Sequence, residues 1–140
     1  MSTIDETCSG AVLHCIDFRL RESLQYFLRK RFPKSNYDLI VVAGGVKELI
    51  TDQGKNPDFL VKQFHISHQL HSPAVFVLIQ HEDCGAYGGS AALGESSQEL
   101  EFQKKKLRES AIFLKKHYPE TAIEMYFINL SGEVTLVESE

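Results

Sequence analysis

Two short motifs contain the residues of this chain that are best suited to chemistry. One runs from Cys15 to Arg19 (CIDFR), and the other runs from His81 to Gly85 (HEDCG). Together they supply two thiols and one imidazole, which are ligand types that Zn²⁺ prefers. Three protein ligands are typical of a catalytic zinc, because the fourth position stays open to water or substrate. We therefore predict a zinc site formed by Cys15, His81 and Cys84.

The first motif also contains a carboxylate and a guanidinium, on Asp17 and Arg19. A purely structural zinc site has no use for such a pair. Each residue alone has a simpler interpretation, since Asp is a common helix N-cap and a buried Cys is commonly a small hydrophobic residue. Glu82 and Asp83 are expected to support their loop rather than to bind the metal. The zinc prediction therefore depends on the combination of the two motifs.

Both motifs follow apolar runs that are typical of buried strands. The predicted strands are Ala11–Asp17, Tyr37–Ala43, Ala74–Gln80, Ala122–Leu130 and Val134–Val137. The predicted helices are Arg19–Phe32, a segment that opens at Asn56-Pro57 and runs to about His71, and Gln98–His117. A helical turn is expected at Val46–Ile50 and a loop at Gly85–Ser97. Helical spacing predicts core contacts for Leu20, Leu24, Phe27, Leu28 and Phe32, and for Leu100, Leu107, Ile112 and Leu114.

Apolar strands joined by helices indicate a three-layer α/β fold, with a mostly parallel sheet and helices on both faces. Right-handed crossovers favour the strand order 2-1-3-4. The fifth strand follows a tight turn, so it is expected to be an antiparallel edge strand. Strands one and three are neighbours in this order, and ligands bind at the carboxyl ends of strands where the winding direction switches. The order therefore brings Cys15 close to His81 and Cys84.

Composition limits the class of protein. The chain has 140 residues, of which 43% are hydrophobic and 24% are charged, and this is typical of one globular domain. The first residues are polar, so we predict a polar arm at 1–10 and a single domain at 11–140. The net charge of −4 argues against nucleic acid as a partner. No apolar run is long enough for a membrane span, and the first residues do not resemble a signal peptide. Three cysteines argue against a disulfide framework, so the cytoplasm is the predicted compartment.

The two motifs resemble those of the β-class carbonic anhydrases. That family has a Cys-x-Asp-x-Arg motif after its first strand and a His-x-x-Cys motif after its third. The resemblance implies that Cys15, His81 and Cys84 bind Zn²⁺ and that Asp17 and Arg19 form the family's dyad. It also implies reversible hydration of CO₂ to bicarbonate by zinc-bound hydroxide, in a homodimer or higher homo-oligomer.

The resemblance leaves the state of Asp17 open. Family members exist with this aspartate paired to the arginine, and with the aspartate on the metal as a fourth ligand that closes the site. The pattern also departs from the family at two points. Val41-Val42 replaces an Arg-Asn pair before the glycine turn, and Phe18 replaces a small polar residue.

Three alternatives remain. The first is a zinc-stabilised binding or sensing domain in which Asp17 closes the metal site. The second is a zinc hydrolase of a CO₂-like molecule such as CS₂ or COS. The third is a cysteine phosphatase, suggested by His14-Cys15 and Arg21 but disfavoured because the loop has no glycine to bring amides onto phosphate.

Four other residues, Cys8 and three histidines, need a separate interpretation. Cys8 lies in the polar arm and is expected to be a free thiol. His65, His68 and His71 follow one another at three-residue spacing on one predicted helix. An adventitious metal site is one interpretation, and a half-exposed helix face is the one that we favour.

Overall fold

The computed structural model describes residues 6–50 and 58–139. Its centre is a five-stranded sheet formed by β1 (Gly10–His14), β2 (Tyr37–Val41), β3 (Val75–His81), β4 (Ala122–Ile128) and β5 (Val134–Ser139). The strand order is β2-β1-β3-β4-β5, with β5 antiparallel to β4 and the other neighbours parallel. The predicted order and the antiparallel edge strand are confirmed.

Four α-helices connect or precede these strands. They are α1 (Arg21–Arg31), α2 (Asp58–His71), α3 (Gly89–Leu93) and α4 (Ser96–His117), and 3₁₀ turns lie at Phe18–Leu20, Gly45–Glu48 and Gly85–Tyr87. The predicted helix start at Asn56-Pro57 lies outside the described residues. No helix within the described ranges is long and apolar enough to cross a membrane.

The segment predicted as a loop at Gly85–Ser97 contains a 3₁₀ turn and α3, so that prediction was wrong. The reason is a contact from outside the segment. The Asp83 carboxylate accepts a hydrogen bond from the Ser90 backbone N–H at 2.8 Å, near the start of α3. Composition alone favours a loop here because small residues and glycines dominate, and it does not reveal this side-chain support.

The helices cover both faces of the sheet, as predicted. On one face α1 and the residues that flank it pack against the strands through four side chains that are nearly inaccessible to solvent, Leu20, Leu24, Leu28 and Phe32. On the other face α2 and α4 contribute a second group, Leu60, Phe64, Leu107, Ala111 and Leu114. Each fully buried large side chain stabilises the fold by about 1.5–3 kcal/mol relative to exposure. The two cores hold the strand ends, and therefore the two motifs, in fixed positions.

The buried face of α4 is only partly the predicted one. Leu107 and Leu114 are buried as expected, but Ile112 is 54% exposed, so its predicted core position was wrong. The buried stripe instead begins with the polar residues Glu99 and Gln103. Counting apolar residues assigns such polar side chains to solvent, and this shifts the predicted face around the helix.

Candidate metal centre

The two sequence motifs meet at the carboxyl ends of β1 and β3. The ligand atoms of Cys15, His81 and Cys84 all lie within 4.8 Å of one another, and all three residues are buried. We call these three residues the carboxyl-edge cluster. They come together because β1 and β3 are parallel neighbours, although Cys15 and His81 are 66 residues apart in the sequence. All three cysteines of the chain are free.

The imidazole of His81 is oriented by its own loop. Its Nδ1 lies 2.6 Å from the Glu82 carbonyl oxygen, and because that oxygen can only accept, Nδ1 carries the proton. The lone pair of Nε2 then faces inward. This atom is buried and has no hydrogen-bond partner among the described residues. An unpartnered buried acceptor is costly, and a histidine that donates one ring N–H to a carbonyl while its other nitrogen stays free is typical of a metal ligand.

The two thiols of the cluster share one proton. The hydrogen bond between Cys84 and Cys15 lowers the pKa of Cys15 and raises the pKa of Cys84. Burial is the largest single influence on His81 and lowers its pKa, but the interactions with Cys15, the Glu82 carbonyl and Asp17 together outweigh it, so the pKa of His81 is raised. The Gly44 backbone N–H also points at the Cys15 sulfur, at 3.4 Å. A soft divalent cation would replace the shared proton and allow both sulfurs to be thiolates.

A hydrogen-bonded turn fixes the spacing between His81 and Cys84. Asp83 lies between them in the left-handed backbone region, at a φ of 58°, which Asp tolerates better than most residues. Its backbone N–H donates to the Glu99 carboxylate at 2.7 Å. Glu99 also accepts a hydrogen bond from the Ser90 hydroxyl at 2.9 Å. Asp83 therefore supports the loop, as expected, whereas the role of the buried Glu99 was missed.

A second buried network joins β3 to the glycine turn after β2. The Gln80 amide donates to the Gly44 carbonyl at 3.1 Å and to Gln103 at 3.0 Å, while its oxygen accepts from the Val46 N–H at 3.0 Å. Gly45 has a φ of 57°, and a Cβ there would lie 2.2 Å from the Gln80 oxygen, so only glycine fits. Sequence reasoning missed this network. The available signal was the four-residue spacing of Glu99, Gln103 and Leu107 along α4.

Asp17 and Arg19 are paired beside the cluster. The guanidinium lies 2.7 Å from one Asp17 oxygen, and the Arg19 backbone N–H donates to the other at 3.0 Å. Asp17 is therefore both the cap of the 3₁₀ turn and the partner of Arg19. The guanidinium also donates to the Asp83 side chain and carbonyl, each at 3.0 Å. The Arg19 guanidinium lowers the pKa of Asp17 to about 2, so the carboxylate is ionised at neutral pH.

A pocket of about 440 Å³ opens next to Cys15 and Asp17. Its wall includes four apolar side chains that stay accessible to solvent, Ile16, Phe18, Leu39 and Val41. Phe18 is 82% exposed. The two positions that depart from the family pattern, Phe18 and Val41, therefore both make the pocket more apolar.

The three histidines of α2 do not form one site. His65 and His68 are exposed and lie beside Tyr118, with the His68 ring 4.8 Å from the tyrosine ring. His71 turns the other way, and its Nδ1 lies 2.6 Å from the Asp38 carboxylate. The half-exposed face is thus confirmed for His65 and His68, whereas His71 belongs to a different group of residues.

Comparisons with known proteins agree with this geometry. A family model described as putative carbonic anhydrase matches residues 5–138. Uncharacterized proteins of Rickettsia conorii and Rickettsia bellii are 24% and 23% identical, over 96% of this chain and over 74% and 84% of their own lengths. A solved structure reported among two tetrameric β-carbonic anhydrases of Sordaria macrospora superimposes with a TM-score of 0.58 at 11% identity, covering 96% of this chain and 83% of that one. That likeness shows the fold, and the family model spans almost the whole chain, so this protein belongs to the putative carbonic anhydrase family.

Proposed function

We propose that this protein is a zinc-dependent carbonic anhydrase that interconverts CO₂ and bicarbonate. The observation that carries the proposal is the buried His81 Nε2, which has no hydrogen-bond partner among the described residues and lies within 4.8 Å of the Cys15 and Cys84 sulfurs. These donors fit Zn²⁺, which combines thiolate and imidazole ligands in catalytic sites. Cys15, His81 and Cys84 would hold the ion. Bound zinc would act as a Lewis acid and make water nucleophilic near neutral pH.

The pairing of Asp17 supports an open metal site. Both of its oxygens accept hydrogen bonds from Arg19, so binding a metal would require the carboxylate to leave the guanidinium. Arg19 is in turn held by the Asp83 carbonyl, which belongs to the turn between two ligands. In this proposal the ionised Asp17 accepts a hydrogen bond from the attacking water or from the hydroxyl of bicarbonate. Arg19 fixes the direction in which that acceptor points.

The apolar pocket wall supports a small uncharged substrate. Phe18, Ile16 and Val41 offer no hydrogen bonds to a polar ligand, and CO₂ has no net dipole to satisfy. Bicarbonate needs polar partners, and Asp17, which is paired with Arg19, lines the same pocket. The same features would admit CS₂ or COS, so substrate assays must include these molecules.

We also infer that the protein forms homo-oligomers. Phe18, Ile16 and Leu39 are 82%, 62% and 49% exposed, and exposed apolar side chains that lie close together are typical of an interface. The structural relative from Sordaria macrospora is described as tetrameric. Light scattering after size-exclusion chromatography tests this inference. A monomer at high micromolar concentration would contradict it.

Stopped-flow CO₂ hydration by zinc-loaded protein at mildly alkaline pH tests the enzymatic function. We expect rapid hydration in the wild type and background rates in Cys84→Ser. Parallel assays with COS and CS₂ separate the substrate classes. Confirmed zinc without hydration of CO₂ and without hydrolysis of either analogue would contradict catalysis and favour the non-catalytic binding domain.

A further inference from the structure

A second group of metal-binding residue types lies at the opposite end of the sheet. Cys8 precedes β1, Asp38 is the second residue of β2 and His71 ends α2. Their ligand atoms lie within 4.8 Å of one another, and all three residues are half-buried. We call these residues the amino-edge cluster. Seven residues separate Cys8 from Cys15, which at about 3.3 Å per residue places the two clusters roughly 20 Å apart.

The backbone brings the three residues together without help from their side chains. The Cys8 N–H donates to the His71 carbonyl at 2.8 Å, and the Ser9 N–H donates to the Asn36 carbonyl at 2.7 Å. These two bonds hold the N-terminal arm against the end of α2 and the start of β2. The donor groups are therefore placed in advance, which reduces the conformational entropy that a ligand must overcome on binding.

The side chains converge on one oxygen. Oδ2 of Asp38 lies 2.6 Å from His71 Nδ1, 2.7 Å from the Ser67 hydroxyl and 4.0 Å from the Cys8 sulfur. Ser67 and His71 are four residues apart and therefore share a face of α2. Within the described part of the chain, His71 is the only basic residue paired with Asp38. No lysine or arginine there pairs with this half-buried carboxylate, so a cation at the cluster would compete for it only with the hydrogen bonds from His71 and Ser67.

We propose that Cys8, Asp38 and His71 bind a second Zn²⁺ ion, which ties the N-terminal arm to β2 and α2. A thiolate, a carboxylate and an imidazole together favour zinc over Mg²⁺ or Ca²⁺, which take oxygen ligands. Ligands of a tetrahedral zinc lie roughly 3.3–3.7 Å from one another, given their usual distances from the metal. The His71–Asp38 separation is shorter than this and the Cys8–Asp38 separation is longer. A small rotation of the His71 side chain away from Asp38, and a small rotation of the Cys8 side chain toward Asp38, would make room for the zinc ion. His71 retains 35% side-chain exposure, which gives the ion a path from solvent.

Cobalt titration of metal-free protein tests this proposal, because Co²⁺ replaces Zn²⁺ and its bond to a thiolate produces a charge-transfer absorbance. We expect Cys8→Ser and His71→Ala to bind one equivalent less Co²⁺ per chain than the wild type. Zn²⁺ should displace that equivalent, whereas excess Mg²⁺ should not. His68→Ala, on the same helix but outside the cluster, is the matched control and should bind as the wild type does.

The difference between variants separates this proposal from the catalytic one. If both clusters bind metal, the wild type binds two equivalents of Co²⁺ per chain and Cys8→Ser binds one. If the carboxyl-edge cluster fails to bind metal, the wild type binds one equivalent of Co²⁺ per chain and Cys8→Ser binds none. Equal uptake by the wild type, Cys8→Ser and His71→Ala would overturn the second site, and so would displacement of its cobalt by Mg²⁺. Circular dichroism of both variants checks that they are folded.

Discussion

The two ends of the sheet use the same residue types in different ways. Both clusters contain cysteine and histidine, and both have an aspartate nearby. At the carboxyl edge Arg19 is paired with Asp17, and Nε2 of His81 has no hydrogen-bond partner in the described parts of the chain. At the amino edge no arginine or lysine is paired with Asp38 among the described residues, and the aspartate bonds directly to His71.

This difference shows how one guanidinium can set the character of a metal site. A carboxylate beside a metal-binding histidine can act as a ligand, as a hydrogen-bond partner or as a free base. Pairing with arginine occupies both oxygens of Asp17 and disfavours its use as a metal ligand, which in our proposal keeps a coordination position available for chemistry. Asp38 has no such restraint and is available as a ligand. We therefore expect a catalytic site at the carboxyl edge and a structural one at the amino edge.

The largest effect should come from removing a thiol. Cys84→Ser should lose the carboxyl-edge zinc and lower the thermal unfolding temperature markedly, because metal binding is coupled to folding. Cys8→Ser is the matched control and should keep that zinc with a smaller loss of stability. Metal analysis and thermal unfolding, with and without chelator, measure both. Equal zinc content in Cys84→Ser and the wild type would remove Cys84 from the ligand set.

Arg19→Ala tests the proposed role of the guanidinium. We expect the zinc to stay bound while the CO₂ hydration rate falls roughly 10–100-fold, since residues that orient a metal site commonly contribute that much. Arg21→Ala is the control, because Arg21 is an exposed arginine two residues further along the chain. An unchanged hydration rate in Arg19→Ala would mean that the pairing with Asp17 does not serve catalysis.

Two glycines at the carboxyl edge differ in how closely their surroundings are packed. Gly45→Ala forces a Cβ onto the Gln80 oxygen and strains a positive φ, so we expect a loss of about 2–3 kcal/mol in unfolding free energy. A Cβ added at Gly85 would meet no atom within 4 Å, so Gly85→Ala should change stability by less than about 0.5 kcal/mol. Urea unfolding compares the two. Similar losses would show that the Gln80 network does not constrain the turn.

Glu99 offers a smaller and more specific test. The Glu99 carboxylate accepts hydrogen bonds from the Asp83 N–H and the Ser90 hydroxyl. Glu99→Gln replaces one accepting oxygen with an NH₂ group, which can only donate. One of these hydrogen bonds is therefore weakened, and the turn between His81 and Cys84 should loosen. We expect zinc affinity at the carboxyl edge to fall about tenfold, measured by competition with a chromophoric chelator. Glu101→Gln, whose parent side chain is 67% exposed on the same helix, should leave the affinity unchanged. A wild-type affinity in Glu99→Gln would limit Glu99 to a packing role.

The fold could be predicted because the strands lie in largely apolar runs and right-handed crossovers allow few strand orders. The proximity of Cys15 to His81 and Cys84 followed from the same reasoning. Gln80, Glu99 and Gln103 could not be predicted, because their burial depends on partners that are distant in sequence. Ile112 was placed in the core for the same reason. The pairing of Cys8 and His71 with Asp38 was also inaccessible, since it depends on how the N-terminal arm lies against two elements at once.

The parallel pairing of β1 with β3 has a consequence for how the protein matures. Cys15 emerges from the ribosome long before Cys84. The segment that contains β2 and its flanking helices must be synthesised before the two thiols can meet. Contacts between distant segments form slowly, because closing the intervening chain costs entropy. A nascent chain therefore carries an unpaired thiol through much of its synthesis. If the carboxyl-edge cluster binds zinc as proposed, metal binding there must be a late step, and its timing would report when the sheet is assembled.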